Sequence, residues 1–312
     1  MNLKGKFEQS SAIVQILILF FVIMVGLVFV TMIINTIVMV KFEIESTAVT
    51  KEVINYMIDS SEWTKNVQFF QIVGVFILPA IICAWLFSDN YKNYLRIDTF
   101  FQFHTICLVM LSMLIIIPIL NSIYEFNQHI VFSQYFKNLE KLIKNQENFT
   151  KNIIDKMLCI HSWQDLIYTI LIVCVFTSIG EEFIFRGILQ NILHKFIKNS
   201  HIVIWITAVF FSVVHLQFSG FLPRVLLGAY LGYLLYYTGN IWVPISAHFT
   251  NNFLGVINFY LFQKEIRLAK KIDSIGGGST WWLSIVSLVI FFIIFYHIKN
   301  NKSNTSNLSK EF

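Results

Sequence analysis

The feature that most constrains this chain is the recurrence of apolar runs about as long as a bilayer is thick. A helix needs about 20 apolar residues to cross a hydrocarbon core of about 30 Å. Eight segments reach or approach that length: 12–40, 67–88, 100–120, 166–190, 202–218, 221–238, 241–262 and 281–298. Composition agrees, since 56% of the 312 residues are hydrophobic and 13% charged, against about 25% charged in soluble domains. The sequence therefore predicts an all-α, polytopic membrane helix bundle of about eight transmembrane helices. The first run, Ser11 to Val40, is too long for a signal peptide and reads as a membrane anchor. The small net charge of +5 is scattered over connections and forms no basic stripe for nucleic acid.

The connections divide the chain into four parts. Residues 1–120 hold the first membrane helices. Residues 121–165 form a polar loop in which "FKNLEKLIKNQENFTKNIIDKML" has apolar residues at helical spacing, the pattern of a helix lying along a membrane surface. Residues 166–262 make a compact core, because its last three segments are joined only through "SGF" and "TGN"; turns that short make successive helices antiparallel neighbours. Residues 263–312 add a last helix and a polar tail. Lys4, Lys6, Lys299, Lys302 and Lys310, with Lys92, Arg96, Lys195 and Lys198, place both termini in the cytoplasm by the positive-inside rule. The cluster Lys264, Arg267, Lys270 and Lys271 dissents. A bacterial source would make the membrane the plasma membrane. The four cysteines form no C-x-x-C pair and read as free, buried thiols.

An ionisable group in a spanning helix costs at least about 2.5–3.5 kcal/mol, so it persists when paired, solvated in a cavity or functional. This chain concentrates such groups in the compact core. Glu181, Glu182 and Arg186 lie on the fourth segment, His215 on the fifth, and His248, Asn251 and Asn252 on the seventh. Glu182 and Arg186 are four apart and can pair on one helix face. Glu181 points about 100° away from Glu182, and no basic residue stands three or four positions from it. It is the carboxyl suited to taking and giving a proton. At 1.5 Å per residue, Glu181, His215 and His248 fall roughly 15, 20 and 12 Å from one side of the membrane, a depth at which they could share a site. His248 and Asn252 also face the same way. The isolated His104 and the helix-end His297 carry no such pattern, and "GGG" at 276–278 reads as a turn.

The set Glu181-Glu182-x-x-x-Arg186, Phe211-x-x-x-His215 and His248-x-x-x-Asn252 resembles the CPBP (CAAX protease and bacteriocin-processing, or Abi) family. These are intramembrane proteases related to the type II CAAX prenyl endopeptidase. The resemblance covers about residues 166–262 and includes Gly187 after the arginine. It implies hydrolysis of a peptide bond in a membrane-associated or lipidated peptide or protein. On that pattern Glu181 is the general base activating water, assisted by His215; His248 and Asn252 stabilise the oxyanion; Glu182 and Arg186 support the site.

No cofactor is certain. Zinc is the first alternative, with Glu181, His215 and His248 as ligands, but no H-E-x-x-H is present. Two other functions compete with an intramembrane endopeptidase. One is a non-catalytic membrane immunity or scaffold protein of the same family. The other is a proton-coupled transporter, disfavoured by the lack of repeated halves.

Overall fold

The computed structural model describes residues 3–42, 60–99, 103–129, 135 and 137–300. The middle of the 41–66 loop and the tail with Lys302 and Lys310 lie outside them. Long apolar runs satisfy their backbone polar groups within one segment only by coiling into helices, and every regular element among the described residues is helical. In chain order these are α1 (Ala12–Phe42), α2 (Ser61–Phe87), α3 (Tyr91–Tyr94), α4 (Phe103–Ile115), α5 (Ile117–Gln128) and α6 (Lys137–Met157). They continue with α7 (Trp163–Phe196), α8 (Ser200–Val213), α9 (Phe221–Thr238), α10 (Trp242–Lys264), α11 (Ile266–Asp273) and α12 (Trp281–Asn300). Four of them, α1, α2, α7 and α12 with its leading turn, are long and apolar enough to cross a membrane. The pair α4–α5, bent by 43°, makes a fifth if it is counted as one span. The protein is thus an all-α, multi-pass membrane helix bundle.

Two units divide the chain. The first comprises Met1–Leu95 and Lys151–Lys195, the second Arg96–Thr150 and Phe196–Phe312. In the first unit α1 gives Val30, Ile34 and Val38 to a cluster with Trp63 and Val67 of α2. The core of the second unit joins Ile106, Val109 and Met113 of α4 to Leu227, Leu231 and Leu234 of α9. Val243 and Ala247 of α10 and Phe291 and Ile294 of α12 complete it. Ser112 and Tyr230 share a buried hydroxyl contact of 2.6 Å across that core.

Several expected boundaries move, each for a local reason. The third apolar segment does not end at 120; α4 stops at Ile115 and α5 carries the helix on to Gln128. Pro118 sits in the first turn of α5, where its missing N–H and its ring deflect the preceding turn. The fifth segment, expected to reach 218, ends at Val213 as a helix of 14 residues, about 21 Å long. Leu216 breaks it with a φ of 52°. The fourth runs longer than expected and is not uniformly α-helical: Ile170–Phe176 and Phe183–Leu189 are π-helical. Among the cysteines Cys83 and Cys174 are buried, but Cys107 is exposed; in a membrane bundle an apolar run also supplies the outward face.

Candidate active site

The start of α7 is fixed by polar groups. Ser162 caps it, its Oγ accepting from the Asp165 N–H at 3.1 Å, which serves one of the donors every helix leaves at its N-terminus. The Asp165 carboxylate accepts from the His161 N–H at 3.0 Å and pairs with the buried Lys65 ammonium of α2. Lys65 Nζ also donates to the Cys159 carbonyl at 3.1 Å, and the Ser61 hydroxyl donates to the same oxygen at 2.9 Å. Further along, Gly180 lets α7 approach α2 closely. A Cβ there would lie 3.0 Å from Ile72 Cγ2 and 3.1 Å from Phe76 Cβ, tighter than packed side chains accept.

Glu181 and Glu182 follow directly. Arg186 Nη1 donates to Glu182 Oε1 at 2.9 Å, and neither side chain has any exposed surface. Glu181 is also buried. Arg186 lies in the field of both carboxylates, with Glu182 the stronger influence. Spacing separates Glu181 from the ion pair by direction, and the structure adds that the same cation still acts on it. Ser178, Glu182, Arg186 and Gln190 recur every four residues, and all are buried. The wide turns around this stripe are backed by side chains. Thr177 Oγ1 donates to the Ile172 carbonyl at 3.1 Å, and Asn191 Nδ2 donates to the Gly187 carbonyl at 2.7 Å. π-turns inside α-helices are frequent at functional sites.

The histidines belong to the second unit. The helix α8 begins at an Asn199 cap that accepts from the His201 and Ile202 N–H groups. It ends at Val213, so His215 stands on the turn beyond it and not inside a helix. Its Nδ1 lies 2.7 Å from the Phe211 carbonyl. A carbonyl oxygen only accepts, so Nδ1 carries the hydrogen and donates this bond. The next residue, Leu216, has the left-handed φ of 52°, a conformation costing about 1–2 kcal/mol when a Cβ is present.

Phe211 connects the two imidazoles. Its ring meets His215 edge-on at 5.0 Å between centroids and His248 at 5.7 Å. Gly228 of α9 positions that ring, since a Cβ there would lie 3.1 Å from Ala208 Cα and 3.3 Å from Phe211 Cδ1. At the "TGN" turn Gly239 closes α9 in the left-handed conformation, and Asn240 Oδ1 accepts the Trp242 N–H at 2.9 Å to start α10. His248 is buried within α10. Asn252 lies one turn on, its Oδ1 accepting from Asn251 Nδ2 at 3.4 Å.

The structure thus brings Glu182 to Arg186 within the first unit, and His215 and His248 to Phe211 within the second. Glu181 belongs to the first unit, and Asn252 to the second. Among the described residues no group of three or more His, Cys, Asp or Glu side chains is placed to hold a metal ion. Sequence reasoning did not single out Lys65, Asp165, Asn127 or Glu147, all of which bind neighbouring elements. Lys65 at the entry to an apolar run was the one available signal, because a cation there demands a partner.

Residues 163–254 match the family model for the type II CAAX prenyl endopeptidase Rce1-like proteins. A stretch of 84 residues is 29% identical to Uncharacterized protein YpbD of Bacillus subtilis (strain 168). That alignment takes in 26% of this chain and 40% of YpbD, so the chain spans less than half the length of the curated relative it matches. No solved structure matches.

Proposed function

From the CPBP/Rce1-like CAAX protease family domain that residues 163–254 carry, we propose that the protein is an intramembrane endopeptidase. Its reaction is hydrolysis of a peptide bond in a membrane-associated or lipidated peptide or protein by glutamate-activated water. The observation that carries this reading is the order of three polar motifs inside the matched segment. Glu181-Glu182 with Arg186, Phe211 with His215, and His248 with Asn252 follow one another on α7, α8 with its turn, and α10.

In this reading Glu181 takes a proton from water, and Nε2 of His215 accepts from the same water and orients it. The water oxygen bonds to the scissile carbonyl carbon, and the electron pair moves onto the carbonyl oxygen. His248 and Asn252 donate to that oxyanion. The C–N bond then breaks, and the proton held by Glu181 passes to the leaving amine. A placed general base contributes about 10²–10⁴-fold, and one oxyanion donor about 10²–10³-fold. The Glu182–Arg186 pair holds α7 in register and keeps a cation near the reacting carboxyl. In this reading every step is carried by side chains and water.

For the membrane, we read α1, α2, α4 with α5, α7, α8, α9, α10 and α12 as eight crossings with both termini cytoplasmic. The 166–262 segment forms the catalytic core.

The test uses the full chain in liposomes with two internally quenched peptides, one prenylated near its C-terminus and one with an apolar spanning segment. Glu181→Gln should lower cleavage by about 10²–10⁴-fold. Wild-type cleavage by that variant would sink the assignment of the base. Loss of activity on chelation would restore the zinc alternative.

A further inference from the structure

The helix α8 ends two residues before a residue proposed to act in catalysis, and the backbone turns left-handed at the next, Leu216. Left-handed backbone at Leu216 persists only where its surroundings over-determine it. The backbone polar groups that the helix no longer satisfies must also find partners. Those partners are specific and come from three different helices. The Gln217 carbonyl and Oε1 both accept from Arg224 Nη2 of α9, at 3.3 and 2.8 Å. The Phe218 carbonyl accepts from Asn127 Nδ2 of α5 at 2.6 Å, and Asn127 is itself buried. The Ser219 N–H donates to Glu147 Oε1 of α6 at 2.6 Å. At the base of the loop the Ser212 hydroxyl donates to the Phe221 carbonyl at 2.8 Å.

Of these contacts, the one to Glu147 is charge-assisted on the acceptor side and spans 72 residues of sequence. Such bonds are roughly twice as strong as neutral ones. His215 itself lies on this turn, and its Nδ1 is tethered to the Phe211 carbonyl of α8, so a shift of the turn moves the imidazole against that tether and re-aims Nε2. We propose that Glu147, on the helix α6, is a positioning residue: its carboxylate holds the Ser219 amide and thereby fixes the turn that presents His215. Glu147 touches no reacting atom in this scheme. The inference rests on the reading of His215 as part of the catalytic site.

The experiment compares wild type, Glu147→Ala and Glu147→Gln as full chains in nanodiscs. Hydrogen exchange at residues 216–221 is the first readout and needs no substrate. Loss of one charged hydrogen bond should speed exchange in Glu147→Ala by about ten-fold, whereas Glu147→Gln keeps an acceptor and should stay within about three-fold of wild type. Turnover of the quenched peptides is the second readout. Glu147→Ala should lower kcat by about ten-fold with KM changed less than about two-fold, and Gln should restore most of it. Unchanged exchange in Glu147→Ala, or a Gln variant as defective as Ala, would overturn the proposal. His215→Ala separates the two levels. If it retains full turnover, the catalytic reading of His215 falls. If it is inactive while Glu147→Ala exchanges and turns over as wild type, only the positioning role falls.

Discussion

The charged stripe of α7 and the imidazoles of α8 and α10 are both polar groups in apolar surroundings, and they are held by opposite means. Glu182 and Arg186 solve their problem inside one helix, four residues apart and fully buried. His215 is also bonded four residues back, to the Phe211 carbonyl, but its turn is clamped from α5, α6 and α9, and the Phe211 ring reaches His248 on another helix. The difference is one of reach. Buried ions cost several kcal/mol unless paired; Glu182 has its cation one helical turn away, whereas the buried Lys65 is paired with Asp165 from 100 residues away. The turn that carries His215 is likewise placed by tertiary contacts. Local pairing makes the first region robust, and distributed contacts make the second adjustable.

Breaking the local pair should have the largest effect on stability. Arg186→Leu leaves Glu182 buried without its cation and should cost about 3–5 kcal/mol, read by detergent-driven unfolding of the reconstituted protein. Adding Glu182→Met to Arg186→Leu should recover most of that loss, because the deficit comes from an uncompensated charge. A single variant as stable as wild type would dissolve the contrast between the two regions.

Next comes the shared ring. Phe211→Leu removes two edge-on aromatic contacts and should cost about 1–3 kcal/mol taken together. Its sharper signature is spectroscopic: the imidazole resonances of His215 and His248 should both move. Movement of only one would mean that the ring does not couple them.

The smallest expected effect is at the close approaches. Gly180→Ala and Gly228→Ala each gain helix propensity but overpack a contact, for a net cost of about 1 kcal/mol. Only Gly228→Ala should disturb the histidine resonances, since its new methyl meets Phe211. Equal disturbance by Gly180→Ala would blur the two regions into one.

Legibility in the sequence follows the same division. Glu182 and Arg186 could be paired from spacing alone, because i,i+4 geometry is fixed by the helix. His248 and Asn252 were likewise placed on one face of what proves to be a continuous α10. The apolar segment 202–218 puts His215 inside a helix, but α8 ends two residues before it, and nothing local announces the stop except the polar and small residues of "QFSG". The reason is that its turn is stabilised from Asn127 and Glu147, 91 and 72 residues away from their partners. The amphipathic pattern of 137–157 was readable as a helix, but its contact with that turn was not. The π-helical stretches were also hidden, since they depend on packing against neighbours and on Thr177 and Asn191.

The latch at the head of α7 has a consequence in time. Lys65 and Asp165 are 100 residues apart in the chain, and the lysine is fully buried once they meet. At about 5–20 residues per second of synthesis, the ammonium group waits about 5–20 seconds before its carboxylate exists. During that interval α2 must keep its first turn in contact with water or lipid headgroups. The depth at which α2 settles is therefore decided twice: once as it enters the membrane, and again when α7 arrives.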